Sequence, residues 1–394
     1  MKNATPLILD FNKGLSPTAQ LAKFRAIQES PFRFYRGTCH LFYDRLTELG
    51  PPKAHTKAWI CGDLHLENFG SFKGDNRLVY FDVNDFDEAL MAPLSAEVLR
   101  FATAILMATD LFKYSDKQAR ELVKCALKEY RDTIVRSKAL MMERDLATGL
   151  LREFFDKVEL QKRQEFIGSI TEQRGKKTLI KIDDVHNHKM DEDVHERLMS
   201  WYRKEFKNDD RLGPLEIQDC AYRIAGTGSL GVERYMILVR HAKSKKFYLL
   251  DMKEARPSSL SSHVKIKQPK WASEAERIIT IQNRMQFCAP ALLRPVYFNK
   301  KWFVLKELQP MQDKVDLATA KGELDKLQDV ILPMARLAAY AHLRGTGRQG
   351  SSTADELADS VSHDKWIKQR YELATELAVQ TKKDFKDFLK YEMG

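Results

Sequence analysis

Apolar residues follow a helical period over most of the chain and alternate as in strands near residues 57–86 and 216–308. A helical period predicts amphipathic helices, whereas alternation over short runs predicts half-buried strands. The predicted helices lie at 16–27, 32–49, 94–136 (two helices, broken near 113–115), 272–287 and from 317 onward. The predicted strands lie at 57–64, 77–86, 216–223, 232–240, 246–254 and, as a pair, at 294–308.

The order of these elements predicts a helical arm, a hairpin with two helices, a helical insert, a β-rich segment and a helical C-terminal part. The corresponding boundaries are 1–56, 57–140, 141–215, 216–310 and 311–394. Residues 1–30 are interpreted as a loose arm and a short helix that Ser16 caps. Residues 64–72 are interpreted as the loop near the start of the hairpin. Strands grouped together, with helices before and after them, predict an α+β fold.

The composition is that of a folded protein from a reducing compartment. The 394 residues are 43% hydrophobic and include 39 aromatic side chains (21 Phe, 13 Tyr, 5 Trp), which excludes a disordered or collagen-like chain. Five scattered cysteines without a CxxC pair exclude a disulfide framework. The N-terminus has too short an apolar run for a signal peptide, so a cytoplasmic location is expected. The most apolar stretch, 94–112, carries Glu97, Arg100 and Asp110, which indicates a buried helix and no membrane partner.

The charge balance favours anionic partners. Lysine and arginine number 65 against 55 acidic residues, which gives a net charge of +10. Such a surface favours nucleotides and other phosphates. The basic stretches, such as 174–181 and 265–270, are interpreted as solvated faces, so no nucleic-acid partner is expected.

Acidic and amide side chains follow the first predicted strand and the end of the second. Asp63 and Asn68 lie on one loop that can turn both side chains into a single cavity. Carboxylates gathered at a strand end repel one another unless a cation or strong donors are present, and their oxygens suit Mg²⁺. Whether Asp82 or Asp85 is the main ligand stays open. An EF-hand loop is excluded because the sixth position lacks glycine. The strand-end cluster consists of Asp82, Asn84, Asp85, Asp87 and Glu88.

A glycine-rich hairpin joins two predicted strands in the middle of the chain. Its GxGxxG spacing is followed by strand residues rather than by a helix, which excludes a dinucleotide-binding fold. A Walker motif is excluded because no Lys-Ser or Lys-Thr pair follows. The pattern therefore indicates a hairpin tip whose backbone amides close over phosphates. The hairpin residues are Gly226, Thr227, Gly228, Ser229, Leu230 and Gly231.

Lys253 lies in an apolar predicted strand shortly after this hairpin. A lysine on the inner face of a strand is costly without an anionic partner. An anionic ligand and a carboxylate from the next helix would compensate for it. Glu274 and Glu276 lie on that helix, and the sequence leaves open which of them reaches Lys253.

The loop GDLHLEN (62–68) resembles the catalytic loop of protein kinase-like phosphotransferases, most closely in the aminoglycoside and choline kinase branch. The resemblance implies that Asp63 orients an acceptor hydroxyl and takes its proton, with His65 in the same catalytic motif. It also implies ATP and Mg²⁺ as cofactors. The implied Mg²⁺ ligands are Asn68, Asp82 and Asp85. The implied nucleotide-binding residues are Gly226, Thr227, Gly228, Ser229, Gly231, Lys253, Glu276 and the hinge residues Glu307 and Leu308.

The kinase-like resemblance further implies a two-lobed fold with a small antiparallel β-lobe and a larger helical lobe. Kinases place the glycine hairpin and the lysine before the catalytic loop, whereas this chain places them after it. The order therefore implies a circular permutation. Cys61 also stands where the aminoglycoside kinase branch usually has histidine.

A wider set of motifs resembles the bacterial domain-of-unknown-function family 2252, which is grouped with the kinase-like fold. The expected function is ATP- and Mg²⁺-dependent phosphoryl transfer to an unknown small-molecule or protein hydroxyl. Two alternatives stay open, namely a nucleotide-binding pseudokinase or scaffold and a nucleotidyl transferase that moves AMP. The motifs are FYRG (34–37), GDLHLENFG (62–70), FDVNDFDEA (81–89), GTGSLG (226–231), MKEA (252–255) and AYAHLRG (339–345).

Overall fold

The computed structural model describes residues 2–50, 56–226, 230–308 and 314–391. The helices are α1 (Ala4–Asn12), α2 (Pro17–Gln28), α3 (Pro31–Gly37), α4 (Cys39–Leu49), α5 (Leu94–Leu111), α6 (Asp116–Arg136), α7 (Gly149–Leu160), α8 (Arg163–Ile170), α9 (Glu192–Glu205), α10 (Glu274–Met285), α11 (Leu324–Arg344), α12 (Ala354–Val361) and α13 (Trp366–Phe388). The strands are β1 (Lys57–Ile60), β2 (Phe69–Lys73), β3 (Val79–Val83), β4 (Leu90–Pro93), β5 (Thr171–Arg174), β6 (Lys177–Ile180), β7 (Asn187–His188), β8 (Leu215–Arg223), β9 (Arg234–His241), β10 (Phe247–Glu254), β11 (Arg294–Phe298) and β12 (Lys301–Glu307).

A six-stranded antiparallel sheet forms one side of the molecule, in the order β11-β12-β10-β9-β8-β7. Five of its strands match the predicted strands between 216 and 308, and the mixed α+β class is confirmed. Their alternation places every second side chain on the face that points to the helices. On β10, Asp251 is opposite Lys306 of β12, and Lys253 is opposite Arg234 of β9.

The predicted helical insert is only partly helical. Besides α7, α8 and α9 it contains the hairpin β5–β6 and the short strand β7, which pairs with β8 at the edge of the large sheet. The strands were missed because each has only four residues and Thr171–Arg174 contains no apolar residue, so neither shows a clear alternation. Helix α8 packs Phe166 and Ile167 into a small core with the strands β8, β9 and β10.

A helical body on the other side of the molecule is built from segments at both ends of the chain. Helix α5 packs between α6 and α13, and α11 packs on α6. Their facing side chains form one large core that includes Leu99, Ile105, Leu127 and Leu337, all almost fully buried. Each such aliphatic side chain contributes about 1.5–3 kcal/mol through burial. None of the described helices has the length and apolar character needed to cross a membrane.

The predicted pairing of the first two strands is wrong. Strand β1 pairs with β4, and the hairpin is formed by β2 and β3. Four of the five residues of β2 lie within residues 64–72, which the sequence predicted as a loop. The polar run before Phe69 and the glycine at position 70 concealed a five-residue strand.

The N-terminal arm is ordered rather than loose. The side chain of Ser16 accepts a hydrogen bond from Ala19 N, which confirms the predicted cap of α2. Helix α1 packs against α13 through a cluster that includes Ile8 and Phe388. A Cβ added at Gly231, whose φ is +87°, would press against the side chain of Leu15. The arm therefore contacts the base of the glycine hairpin.

Candidate active site

A cavity of about 960 Å³ lies between the six-stranded sheet and the helical body. Its lining includes Asp63 and Asn68 on the helical side and Gly226 and Lys253 on the sheet side. Segments about 160 residues apart in the sequence therefore share one cavity. The other predicted site residues in its lining are His65, Asp85, Glu307 and Leu308. Thr227, Gly228 and Ser229 lie outside the described residues.

Asp63 is held by a buried arginine of α5. Arg100 Nε donates a hydrogen bond of 2.7 Å to Asp63 Oδ1, and Arg100 Nη2 contacts the same oxygen. The Arg100 side chain is fully buried, whereas 21% of the Asp63 side chain remains exposed. Burial raises the pKa of Asp63, while the Arg100 charge acts in the opposite direction. The ion pair thus fixes one carboxylate oxygen at the wall of the cavity.

His65 lies beside this pair, with Nε2 at 3.8 Å from Asp63 Oδ2. Burial lowers the pKa of His65 well below its usual value, and the nearby Arg36 and Arg100 act in the same direction. The imidazole is therefore neutral near pH 7. Its Nδ1 is buried without a hydrogen-bond partner in the described structure. Arg36, from the FYRG motif, forms an ion pair of 2.7 Å with Glu67 at the same wall.

The backbone before Asp63 is fixed from two sides. Gly62 has a φ of +85°, and a Cβ there would overlap the Glu88 carbonyl. Its N–H donates to Glu97 Oε1 at 2.6 Å, and its carbonyl accepts from Tyr43 Oη at 2.6 Å. Glu97 also bonds His342 Nε2 at 2.6 Å, which places His342 in buried packing behind the loop rather than in the cavity.

Asn68 connects the loop to the acidic segment after β3. Its Nδ2 donates to Asp63 O at 3.0 Å, and its Oδ1 accepts from Asp85 N at 2.7 Å. The Asp85 side chain is 57% exposed and lines the cavity. Desolvation raises the pKa of Asp85, but Lys253, the Asp87 backbone N–H and the nearby Lys306 and Arg234 together outweigh it, and the pKa lies below its usual value.

Lys253 bridges the two sides of the cavity. Its Nζ forms an ion pair with Asp87 and lies 3.9 Å from Asp85 Oδ2. Opposite charges at this distance stabilise the ionised forms of both partners. The lysine thus faces the cavity, as the sequence predicted, but its carboxylate partners come from residues 85–87.

Neither Glu274 nor Glu276 pairs with Lys253. Both side chains are used at the start of α10, where Glu274 binds Arg277 and Glu276 accepts from Ala272 N. The first turn of a helix offers free N–H groups that attract carboxylates. The predicted helix partner of Lys253 is therefore a capping residue, and the cavity is lined further along α10 by Ile278 and Gln282.

Asp82 does not line the cavity. Its Oδ2 accepts from Arg344 Nη1 and from Phe287 N, both at 3.2 Å, and the side chain is 5% exposed. Burial raises the pKa of Asp82, and Arg344 acts against that shift. Of the two aspartates left open by the sequence, the structure brings only Asp85 to Asn68 and Lys253.

A family model that the sequence matches extends over residues 15–391 and is described as an uncharacterized protein conserved in bacteria (DUF2252). The chain belongs to the DUF2252 family. Comparison with curated proteins and with solved structures gives no match. The matched range includes the segments that line the cavity, from FYRG (34–37) to MKEA (252–255).

The sheet face above the cavity of this DUF2252 chain carries a cluster of charges, of which only Arg223, beside the glycine hairpin, could be singled out from the sequence. Asp251 accepts from Arg234 Nε and Nη2, each at 2.6 Å, and from Arg223 Nη1 at 3.2 Å. Desolvation raises the pKa of Asp251, but Arg234 and Arg223 outweigh it and hold the pKa well below its usual value. Lys306 lies next to them on β12. We call Arg223, Arg234, Asp251 and Lys306 the charged roof.

The predicted hinge residues Glu307 and Leu308 lie at the end of strand β12 in the same sheet. Leu308 N donates to Leu249 O at 2.8 Å, which extends the β10–β12 pairing by one residue. Glu307 forms an ion pair with Arg77, and Arg163 of the insert lies 3.9 Å from it. The insert therefore reaches the hinge end of the cavity, where Phe166 and Ile170 add apolar lining.

A buried histidine in the helical wall of the cavity predicts how the stability of this DUF2252 chain depends on pH. His40 is 5% exposed, stacks on Phe11 at a ring distance of 3.8 Å, and has no hydrogen-bond partner for either ring nitrogen in the described structure. Burial, aided by the charge of Lys23, lowers the pKa of His40 to about 3. Between about pH 6.5 and 3 the unfolded chain therefore binds a proton that the folded chain does not.

We expect the free energy of unfolding to decrease as the pH is lowered from 6.5 to 4.5, with His40 contributing roughly 2–3 kcal/mol of the decrease. His40→Phe preserves the stack on Phe11 and removes the titrating group. Urea unfolding at both pH values should show a smaller acid loss in this variant than in the wild type. The exposed His363→Phe is the control. Equal acid losses in wild type and His40→Phe would contradict the assignment.

Proposed function

We propose that this chain is an ATP- and Mg²⁺-dependent phosphotransferase with a kinase-like, permuted arrangement of its two sides. One observation carries the proposal. The loop with Asp63 and Asn68 and the strand with Lys253 line one cavity, although they lie far apart in the sequence. Phosphoryl transfer requires mainly positioning and neutralisation of charge, and these residue types supply both.

Asp63 acts on the acceptor in this proposal. Its carboxylate accepts a hydrogen bond from the acceptor hydroxyl and takes the proton as the hydroxyl oxygen bonds to the γ-phosphorus. The bond between that phosphorus and the bridging oxygen breaks, and ADP leaves. Arg100 fixes the carboxylate throughout, and Glu97 fixes the backbone of Gly62 before it.

The residues fit a magnesium ion that arrives with the nucleotide. Mg²⁺ takes one or two carboxylates and completes its shell with phosphate oxygens and water. Asp85, Asp87 and Asn68 are the residues proposed to hold it, and Lys253 already occupies the space between the two carboxylates with a cationic group. The ion would neutralise charge on the transferred group. Within the described ranges no three acidic, His or Cys side chains form a ready-made cage, so phosphate oxygens supply the other ligands.

The charged roof favours transfer of AMP as a second candidate function. In the phosphotransferase orientation the roof faces the α-phosphate and the adjoining nucleoside, and a nucleoside is usually bound by more apolar surfaces. A nucleotide bound in the reverse direction would place its terminal phosphates there and its α-phosphate near Asp63.

ATP labelled at the α- or the γ-phosphate distinguishes the two candidates. The full chain is incubated with Mg²⁺, each labelled ATP, and small-molecule or protein fractions of a bacterial extract as acceptors. We expect the γ-label in an acceptor and ADP in solution, with both products formed about a hundred- to ten-thousandfold more slowly by Asp63→Asn. The α-label in an acceptor with release of pyrophosphate would establish AMP transfer instead. If ATP is not consumed with any fraction, both candidate functions are wrong.

A further inference from the structure

Lys306 is a cation in the cavity wall that the motifs do not explain. It lies on β12 two residues before Leu308, and its side chain lines the cavity together with Lys253. Lys253 is opposite Val304 in the register, so Lys306 is its diagonal neighbour on the same face of the sheet. The two ammonium groups therefore project from adjacent strands towards the same space.

Lys306 has no carboxylate partner in the described structure. No hydrogen bond or ion pair joins its Nζ to any described residue, whereas Lys253 has Asp87 and Asp85. Asp251, directly opposite, is already bound by Arg234 and Arg223. Desolvation lowers the pKa of Lys306, although Asp251 acts in the other direction. A half-buried, unpaired lysine costs stability that a single apolar residue would not.

We propose that Lys306 binds a phosphate of the nucleotide and, with Lys253 and Arg234, forms a surface for a polyphosphate chain. Diagonal neighbours on a sheet are about 7–8 Å apart. That spacing is measured at the backbone, and two lysine side chains placed in this way can each bind a separate phosphate of a di- or triphosphate. The carboxylates facing this surface are Asp85, Asp87, Asp251 and Glu307. Three of them are bound by Lys253, by the two roof arginines or by Arg77, which leaves the Lys306 charge available for the ligand.

The inference rests on the proposed function for the identity of the ligand as a nucleotide, and it holds for either direction of binding. In phosphoryl transfer the γ-phosphate lies at Asp63 and Lys306 holds the α-phosphate. In AMP transfer the chain is reversed and Lys306 holds the γ-phosphate.

Titration calorimetry with inorganic triphosphate tests the site without a nucleoside. Loss of one charged contact costs about 1.5–3 kcal/mol, so Lys306→Met should bind triphosphate roughly ten- to a hundredfold more weakly than wild type. Lys306→Arg should retain most of the affinity, and the exposed Lys243→Met should equal wild type. We also expect thermal unfolding of Lys306→Met at the same or a higher temperature than wild type, because an unpaired cation has been removed.

Two results would overturn the inference: no binding of triphosphate to the wild type, or equal binding by wild type and Lys306→Met. A parallel titration with ATP separates this result from the proposed function. Triphosphate bound through Lys306 without binding of ATP would leave the anion site in place and contradict the nucleotide-dependent transferase. ATP bound equally by wild type and Lys306→Met would leave the transferase in place and contradict the role of Lys306.

Discussion

Asp63→Asn is expected to lower the rate of transfer about a hundred- to ten-thousandfold while ATP is still bound. The range is that found when the group that takes a proton is removed from an active site. Asparagine retains an oxygen that faces Arg100 but cannot accept the proton of the acceptor hydroxyl. Initial rates with labelled ATP and the acceptor fraction measure the loss.

The ion pair of Asp63 with buried Arg100 makes asparagine a more informative substitution than alanine at position 63. Alanine would leave the fully buried Arg100 without its counter-ion, and removal of one partner of a buried pair costs about 3–5 kcal/mol. Loss of activity in Asp63→Ala would therefore combine misfolding with lost chemistry. Asp63→Asn avoids most of that cost, and the exposed Asp210→Asn serves as the matched control. Turnover of Asp63→Asn at the wild-type rate would refute the role of Asp63.

Asp85→Asn is expected to reduce ATP binding and transfer, whereas Asp82→Asn is expected to reduce the stability of the fold. Asp85 faces the cavity beside Lys253, so its loss should weaken Mg²⁺-dependent binding of ATP and reduce transfer at least about a hundredfold. Asp82 is buried against Arg344, so Asp82→Asn should lower the free energy of unfolding by about 1–3 kcal/mol and retain transfer. Magnesium titrations of ATP binding and urea unfolding of both variants provide the two measurements.

The reverse pattern would show that the metal-binding aspartate has been wrongly assigned. If Asp82→Asn folds with wild-type stability and no longer binds Mg²⁺-ATP, the buried pair with Arg344 does not describe the active protein. Wild-type transfer by Asp85→Asn would contradict the proposed metal site. Each variant replaces one carboxylate oxygen of the wild type with an amide nitrogen, and the two positions are three residues apart. Each variant is therefore a control for the other.

Local sequence patterns predicted the sheet better than the helical body and the site. Strands β8, β9 and β10 are short runs rich in apolar residues, and Ser16 caps α2 at the predicted place. These features depend on residues within one element. The pairing of β1 with β4 could not be read in the same way, because it joins strands separated by the hairpin β2–β3.

The site residues show the same difference between features that depend on one short segment and features that depend on contacts between distant segments. Asp63, Asn68 and Lys253 could be proposed from short motifs, and the structure brings them to one cavity. Arg100, the partner of Asp63, could not be proposed in this way. Its position as the single arginine within the apolar run of α5 was nevertheless a signal that it has a buried acidic partner. The charged roof depends on the β10–β12 register, which no local pattern fixes.

Helix α13 has a consequence for how the protein is made. Helix α13, which follows the other described helices in the sequence, packs on α5, whose Arg100 holds Asp63, and its Asp384 forms a buried ion pair with Arg45. The strands β8–β12 are contiguous and can pair while translation continues. The loop with Asp63 is translated before this sheet, but its supporting helix α5 remains uncovered until α13 has been made. A polypeptide that stops before α13 would therefore carry a paired sheet beside an incompletely packed Asp63 loop.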